Sequence, residues 1–238
     1  MRKRPPKYFV IMQKISSGIR AGDLGPRMQI PSENEIIERY RVSNTTARKV
    51  HQELERTGWV TRVKGKGTYV CDKRVNRSAT RILGFTKNMV EAGRTPSTRL
   101  ISVKVRRQGR RMSVNGRQYH LAGPICEIRR LRLADGVPMM RETRYVSEKL
   151  CPGISRKPLE GSLYDIYERE YGLSLAQVDQ TLSAVVVNGE EAGFPGVAQE
   201  IPAFRVEGVT LCGKDMVLEM EESIYRGDTY QFSVRATP

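Results

Sequence analysis

The sequence predicts an α+β chain in two parts: a basic, helix-rich N-terminal third closed by a short β-hairpin, and a larger mixed α/β part behind it. Three observations predict this. Apolar residues recur at helical spacing from Tyr8 to Leu54, and the glycine-rich "KGKG" at 64–67 is flanked by two β-prone runs. From about residue 81 onward, period-2 alternation dominates and is interrupted by two short helical stretches. Charge follows the same division. Residues 1–80 hold 18 Lys+Arg against 7 Asp+Glu, whereas residues 81–238 hold 23 against 19. The excess of a chain with formal net charge +15 therefore sits in its first third, where a polyanion such as nucleic acid is the natural partner.

Tyr8, Ile11, Met12, Ile15 and Ile19 form the stripe of a first helix, which Gly22 and Gly25-Pro26 end. "PSENEIIERY" opens a second helix with Ser32 as N-cap and Glu35 three residues on, a capping box, and the helix runs to Arg39 or Tyr40. A third follows almost at once. Ser43 is its N-cap, Ala47, Val50 and Leu54 line its apolar face, and Gly58 closes it. Asn44, Thr45 and Arg48 project together from its first turn, because at about 100° per residue they fall within roughly 100° of one another. Two helices joined by a tight turn, with such residues on the second, match a helix-turn-helix. The same polar residues on a helix face are also compatible with mere solvation. The hairpin "WVTRV-KGKG-TYV" directly after it decides for a winged helix. Gly65 and Gly67 let the tip bend and approach a phosphate backbone, and Lys64 and Lys66 supply charge. The spacing does not fit a nucleotide-binding P-loop, which needs a helix after the glycines.

In the second part, "FTKNMVEAG" suits a short helix, and "RLISVKV" alternates at Ile101, Val103 and Val105. "ICEIRRLRLADGVPMMRETRYV" reads as a hairpin around Ala134-Asp135-Gly136. "SLYDIYEREYGL" is helical, with Leu163, Ile166, Tyr167 and Tyr171 on one side and Gly172 as its stop. Thr181–Val187, Ala203–Leu211 and Val217–Val234 are β-rich, the last broken at Arg226-Gly227-Asp228. On the first hairpin strand, Ile128, Arg130 and Arg132 share a face opposite Leu131 and Leu133. Two arginines at i, i+2 fit an anion site, or alternatively ion pairs on an exposed sheet. Glu142 on the return strand lies near Arg130 if the turn is odd-numbered. Ser162 starts a helix, whose N-terminus also favours anions.

Cys71, Cys126, Cys151 and Cys212 form no C-x-x-C pair, which fits free thiols in a reducing compartment and a cytoplasmic protein. No apolar run approaches the ~20 residues of a membrane span. No metal-ligand spacing, cofactor motif or nucleophile–base pair stands out, and His51 and His120 are poorly placed for catalysis.

"IPSENEIIERYRVSNTTARKVHQELERTGWVTRVKGKGTYV" resembles the DNA-binding domain of the GntR family of bacterial transcription regulators, through its P-S-E, V-S-x-x-T-x-R and G-K-G-T-[YF]-V elements. The resemblance implies that Ser32, Thr45, Arg48, Lys66, Gly67 and Thr68 contact DNA, with the third helix in the major groove and the wing tip in the minor. Asn44 and Lys64 join them on the reading of the residues themselves. Many relatives carry Arg where this chain has Asn44, and Asn pairs with adenine where Arg prefers guanine. Residues 81–238 resemble the UTRA effector-binding domain of the HutC-like branch, of chorismate-lyase-like fold. The resemblance is carried by "FTKNM", "IRRLRLADGVPMMRE", "PLEGSLYDIYEREYG" and "MVLEMEESIYRGDTYQF". It implies that Thr86, Arg130, Arg132, Ser162 and Tyr164 surround a phosphate, and that Glu142, Glu219 and Tyr225 surround a sugar. The segment "RRQGRRMSVNGRQYH" departs from the family pattern and is strongly basic.

The expectation is a DNA-binding repressor, residues 1–73, joined by a linker at 74–80 to an effector-binding and dimerisation domain at 81–238. A small anionic metabolite, a sugar phosphate or an organic acid, would release the homodimer from operator DNA. A lyase-like enzyme fused to a DNA-binding domain and an effector-independent DNA-binding protein are the rival readings.

Overall fold

The computed structural model describes residues 5–21, 23–57, 59–71, 75–78, 82–195, 197 and 200–234. The chain divides into two compact units, Met1–Arg74 with Gly196–Ala198 and Val75–Pro195 with Gln199–Pro238.

In the first unit α1 (Lys7–Ala21), α2 (Glu33–Tyr40) and α3 (Asn44–Arg56) precede the hairpin β1 (Val60–Val63) and β2 (Gly67–Val70). The capping box of α2 is complete, with Ser32 Oγ accepting from the Glu35 N–H and Glu35 Oε2 accepting from the Ser32 N–H at 2.7 Å. Ser43 caps α3. The expected stops Gly22 and Gly58 lie outside the described residues, and Thr57 is the C-cap of α3. Ile11, Ile15, Ile36, Ala47, Val50, Leu54, Val60 and Val70 form one buried cluster, so the three helical stripes and the hairpin close on a common core. Truncating Ile36 or Leu54 to Ala would cost about 2–5 kcal/mol by the usual cavity penalty. The wing turn is closed by the Lys66 N–H donating to Val63 O at 3.0 Å. Gly65 and Gly67 take φ +74° and +125°, backbone that L side chains rarely adopt, so the turn favours glycine at both; a Cβ on Gly67 would in addition displace the end of the Gln29 side chain.

The second unit begins with β3 (Val75–Ser78), α4 (Phe85–Glu91), β4 (Pro96–Arg106), β5 (Arg110–Val114), β6 (Arg117–Leu121), β7 (Ile125–Ala134) and β8 (Val137–Ser147). Then come a 3₁₀ turn at Ile154–Arg156, α5 (Leu163–Tyr171), β9 (Leu175–Asn188), β10 (Glu200–Cys212), β11 (Met216–Arg226) and β12 (Tyr230–Ser233). Six strands form one sheet in the order β4-β7-β8-β11-β10-β9, every neighbour antiparallel. One face packs Cys126, Ile128, Val146 and Leu218 against Leu159, Leu163, Ile166 and Tyr167 of α5 and its approach. The other face is covered by β5–β6, whose Met112, Val114, Tyr119 and Leu121 close on Ile125, Tyr145, Val209 and Met220.

Two expectations are corrected here. The segment 74–80 is not wholly linker: Val75–Ser78 pairs in parallel with the last strand, burying Val75 and Arg77. Because one inward position of β3 is an arginine, it carries no apolar alternation. The alternation expected along β4 is broken by a bulge between Leu100 and Ser102, which leaves Ile101 half exposed while Val103 packs on the core.

Candidate functional site

The first unit offers a basic concave face. Asn44, Thr45 and Arg48 are exposed on the first turn of α3, and Lys64 and Lys66 are exposed at the wing tip. Between α2 and the wing lies a concavity of about 360 Å³, bordered by Ser32, Gln29, Lys64, Lys66 and Gly67. Glu33 organises this face: Arg62 Nη2 pairs with its carboxylate at 2.9 Å, and Arg48 Nε approaches it at 3.7 Å while remaining 61% exposed. The Tyr69 hydroxyl donates to Lys66 O at 2.9 Å and braces the wing tip.

Thr68 does not belong to this exposed set. Its side chain is buried and its hydroxyl lies 3.0 Å from His51 Nδ1. His51 Nε2 is 3.0 Å from Pro31 O, a pure acceptor, so Nε2 carries the proton and Nδ1 accepts from Thr68. Burial lowers the imidazole pKa, against the pull of Pro31 O, and keeps the ring neutral. His51 thus pins α3 to the wing and to the approach of α2. A lone histidine in a helix gave no sign of that in the sequence.

In the second unit, the hairpin β7–β8 builds a buried charge cluster. Its loop has two residues, Asp135 and Gly136, both at positive φ, and Ala134 faces Val137. A two-residue loop alone would set Arg130 against Arg141. A bulge between Arg132 and Leu133 shifts the register by one, and Glu142 comes opposite Arg130. Glu142 Oε1 then takes Arg130 Nη2 at 2.5 Å and Arg132 Nη1 at 3.3 Å, while Oε2 takes Arg144 Nε at 3.0 Å. Arg144 Nη1 continues to Glu219 at 2.8 Å and Glu221 at 3.0 Å. Beyond them, the Tyr225 hydroxyl lies 3.5 Å from Glu221 and accepts a short hydrogen bond from Arg77 of β3.

Arg130 and Arg132 also hold the approach to α5. Arg130 Nη1 donates to Leu159 O at 2.7 Å and Gly161 O at 3.0 Å, and Arg132 Nη1 donates to Gly161 O at 3.3 Å. Arg132 Nη2 donates to Thr86 Oγ1 at 2.8 Å, and its guanidinium stacks 4.6 Å from the Phe85 ring. The small cavity among these groups, about 20 Å³ and room for about one water, is lined by Thr86, Arg130, Arg132, Glu142, Ser162 and Tyr164, with Arg144 as a further cation. Nε of both Arg130 and Arg132 is buried without a hydrogen-bond partner.

The electrostatics are lopsided. Burial alone would raise the Glu142 carboxyl, but Arg130, Arg144 and Arg132 together hold it well below the usual carboxylate range. Burial, reinforced by Arg130 and Arg144, pushes Arg132 down to about 10 despite its contact with Glu142. Arg144 is also compensated by Glu219 and Glu221, whereas Arg130 and Arg132 divide Glu142 between them, with Arg130 the nearer, so Arg132 is the least compensated.

Six of the eight residues expected around the effector therefore meet at one cavity. Glu219 and Tyr225 do not; they lie behind it, Glu219 accepting from Tyr167 at 2.6 Å and Thr210 at 3.1 Å, Tyr225 bonded to Arg77. Arg144 was missed. The signal was present, because Glu142 and Arg144 stand at i, i+2 like Arg130 and Arg132.

Residues 91–231 match the family described as UTRA domain, and residues 7–70 match the family described as bacterial regulatory proteins, gntR family. The chain belongs to the UTRA-domain regulators of the GntR family. Its relatives include an HTH-type transcriptional repressor, NagR, of Bacillus subtilis (strain 168), 29% identical over 95% of this chain and 93% of that protein. A probable fructoselysine utilization operon transcriptional repressor of Shigella flexneri is 22% identical over 95% of this chain and 93% of its own length. PhnF from Mycobacterium smegmatis has the same fold, with a TM-score of 0.60 at 22% identity over 96% of this chain and 98% of that one. This GntR–UTRA chain is a DNA-binding transcriptional regulator with a small-molecule sensor domain, not an enzyme. Among the described residues, no helix is long and apolar enough to cross a membrane.

Proposed function

We propose that this regulator is a cytoplasmic, homodimeric repressor that a small anionic metabolite releases from operator DNA, with a sugar phosphate as the leading class. The observation that carries the reading is that Arg130 and Arg132 share the single carboxylate of Glu142, which Arg144 also contacts while pairing with Glu219 and Glu221, and that the Nε atoms of Arg130 and Arg132 are still unpartnered. An anion arriving there gains charge-assisted hydrogen bonds from groups already desolvated. A relative named for fructoselysine utilization supports a sugar-derived ligand.

The present cavity is too small for a sugar phosphate. The effector enters by competing with Gly161 O and Leu159 O for the two guanidiniums, which frees the approach to α5. Release of those carbonyls shifts the balance of Glu142 between Arg130 and Arg144. The change passes through Glu221 and Tyr225 to Arg77 on β3, the first strand after the DNA-binding unit. An effector that favours one arrangement of this network shifts the regulator's population away from the DNA-binding state.

On the DNA side, Asn44, Thr45 and Arg48 read bases, while Lys64, Lys66, the Gly67 backbone and Ser32 hold phosphates. Thr68, which lines the same concavity, also holds the wing's shape through His51. Residues 1–73 form the DNA-binding part, and the rest, β3 included, forms the sensor and the dimer contact on a near-palindromic operator.

A thermal-shift screen of phosphorylated sugars, organic acids and neutral sugars tests the ligand class. A phosphorylated sugar should raise Tm by mass action, and the neutral parent should not. A rise produced only by neutral compounds would refute the anion reading.

A further inference from the structure

The basic segment that departs from the family pattern has a defined place in the fold. Residues 92–126 contain eight arginines and lysines and no aspartate or glutamate. Four of the eight have acidic partners: Arg94 with Asp135, Arg106 with Glu127, Arg110 with Glu222 and Arg117 with Asp215. Arg99, Lys104, Arg107 and Arg111 are exposed and have no ion-pair partner among the described residues.

Within β5–β6 this division follows the faces of the hairpin. Cross-strand partners share a face, so Arg110/Leu121, Met112/Tyr119 and Val114/Arg117 point toward the sheet, and Arg111/His120 and Ser113/Gln118 point away. The arginines on the inner side, Arg110 and Arg117, are the ones with carboxylates. The outward Arg111 has none, nor has Arg107 in the connection from β4. Lys104 and Arg99, opposite Glu127 and Leu131, lie on the sheet face that the hairpin covers, yet both remain exposed. Arg110 and Arg117 thus tie the hairpin to the sheet, whereas Arg99, Lys104, Arg107 and Arg111 make no ion pair among the described residues.

We propose that the hairpin's outward Arg111, Arg107 in the connection to it and Lys104 on the adjoining edge strand β4 together make a second contact for duplex DNA, by the sensor domain on the phosphate backbone. Seven of the eight cations are arginine, the residue whose planar fork matches phosphate oxygens. The one ring at the outward positions is the imidazole of His120, and Tyr119 is buried, so the face lacks the run of aromatic rings on which single-stranded nucleic acid stacks. It also lacks an apolar outward residue to insert into a bilayer. Duplex DNA is the polyanion brought to the molecule by the winged helix. A second weak contact on the same duplex then acts at high effective concentration. This inference rests on the DNA-binding reading of the first unit, and it adds sequence-independent affinity to it.

The test uses the full-length protein and a long random-sequence duplex, with binding measured across a salt series. Neutralising all three by Lys104→Gln, Arg107→Gln and Arg111→Gln should flatten the plot of log affinity against log salt by about 2–3, at roughly 0.9 for each phosphate no longer neutralised. Tm should hold, because these exposed side chains make no ion pair among the described residues. Arg107→Lys with Arg111→Lys should keep the wild-type slope. Lys66→Ala in the wing, read separately, should flatten the slope by about 0.9, so failure of the wing contact is distinguishable from failure of the hairpin contact. A slope unchanged by the triple substitution, while Lys66→Ala still lowers it, overturns the proposal. So does an unchanged slope together with abolished binding to phosphatidylserine vesicles, which would assign the face to a membrane surface.

Discussion

Glu142 stands directly opposite Arg130 across β7 and β8, its carboxylate 2.5 Å from the guanidinium, although the hairpin loop has the wrong parity to place it there. A single bulge supplies the missing residue. The same carboxylate then serves Arg132 and Arg144. Removing one partner of a buried ion cluster leaves uncompensated charge, at a cost of about 3–5 kcal/mol. Glu142→Gln should therefore destabilise the sensor domain by that order in urea unfolding. A loss below about 1 kcal/mol, the range of an exposed pair, would mean that the cluster is not formed in solution.

Arg132→Lys keeps a cation but loses the fork that reaches Thr86 and Gly161 together. Losing a charge-assisted hydrogen bond, about 1.5–3 kcal/mol, should weaken effector binding by roughly ten- to hundred-fold. DNA affinity without effector should stay near wild type. Calorimetry against the effector and anisotropy against operator DNA measure the two quantities separately.

Arg77→Lys should leave both affinities within a few-fold of wild type while reducing the effector's influence on DNA binding. Arg77 touches neither ligand, yet it closes the chain of interactions from Arg132 through Glu142, Arg144, Glu221 and Tyr225. Full coupling in this variant would mean that the signal takes another route.

His51 predicts a pH dependence. Burial sets its folded-state pKa below the ordinary value of about 6.5. The unfolded chain takes up a proton as pH falls through that value, and the folded chain does not. Stabilisation is thus complete above about pH 6.5 and declines as pH drops toward the folded pKa. Tm followed from about pH 7 to 5.5 should fall more steeply in wild type than in His51→Gln, which lacks the titrating group. Equal slopes would contradict the buried neutral imidazole.

Arg48→Ala should cost about 1–3 kcal/mol of operator affinity, one good base contact. The substitution also frees Glu33 from Arg48, but Arg62 continues to hold it. An unchanged gel-shift midpoint would remove α3 from the major groove.

Much of the first unit was legible because its signals are local. The Ser32–Glu35 box, the Ser43 cap and the Ala47, Val50, Leu54 stripe each fix an element within a few residues. The sensor site was legible in composition and hidden in register. Arg130 and Arg132 were visible as a pair, but the Glu142 partnership depends on a bulge that no residue near Leu133 announces. Tyr225 and Glu219 drop behind the cavity because Arg144 stands between, a matter of tertiary packing. Thr68 looks like an exposed wing residue until His51, 17 positions earlier, is seen to hold it. The strand β3 is invisible because its partner, β12, lies at the other end of the chain.

The most direct test of the central claim titrates anionic metabolites into wild-type protein bound to fluorescent operator DNA, selected from a random duplex pool, with Arg132→Lys in parallel. The account predicts that a phosphorylated sugar weakens wild-type DNA binding by about tenfold or more, a coupling of about 1.4 kcal/mol, and that the variant requires roughly ten- to hundred-fold more of it. Release by the same concentration in both proteins, or release only by uncharged compounds, would contradict it.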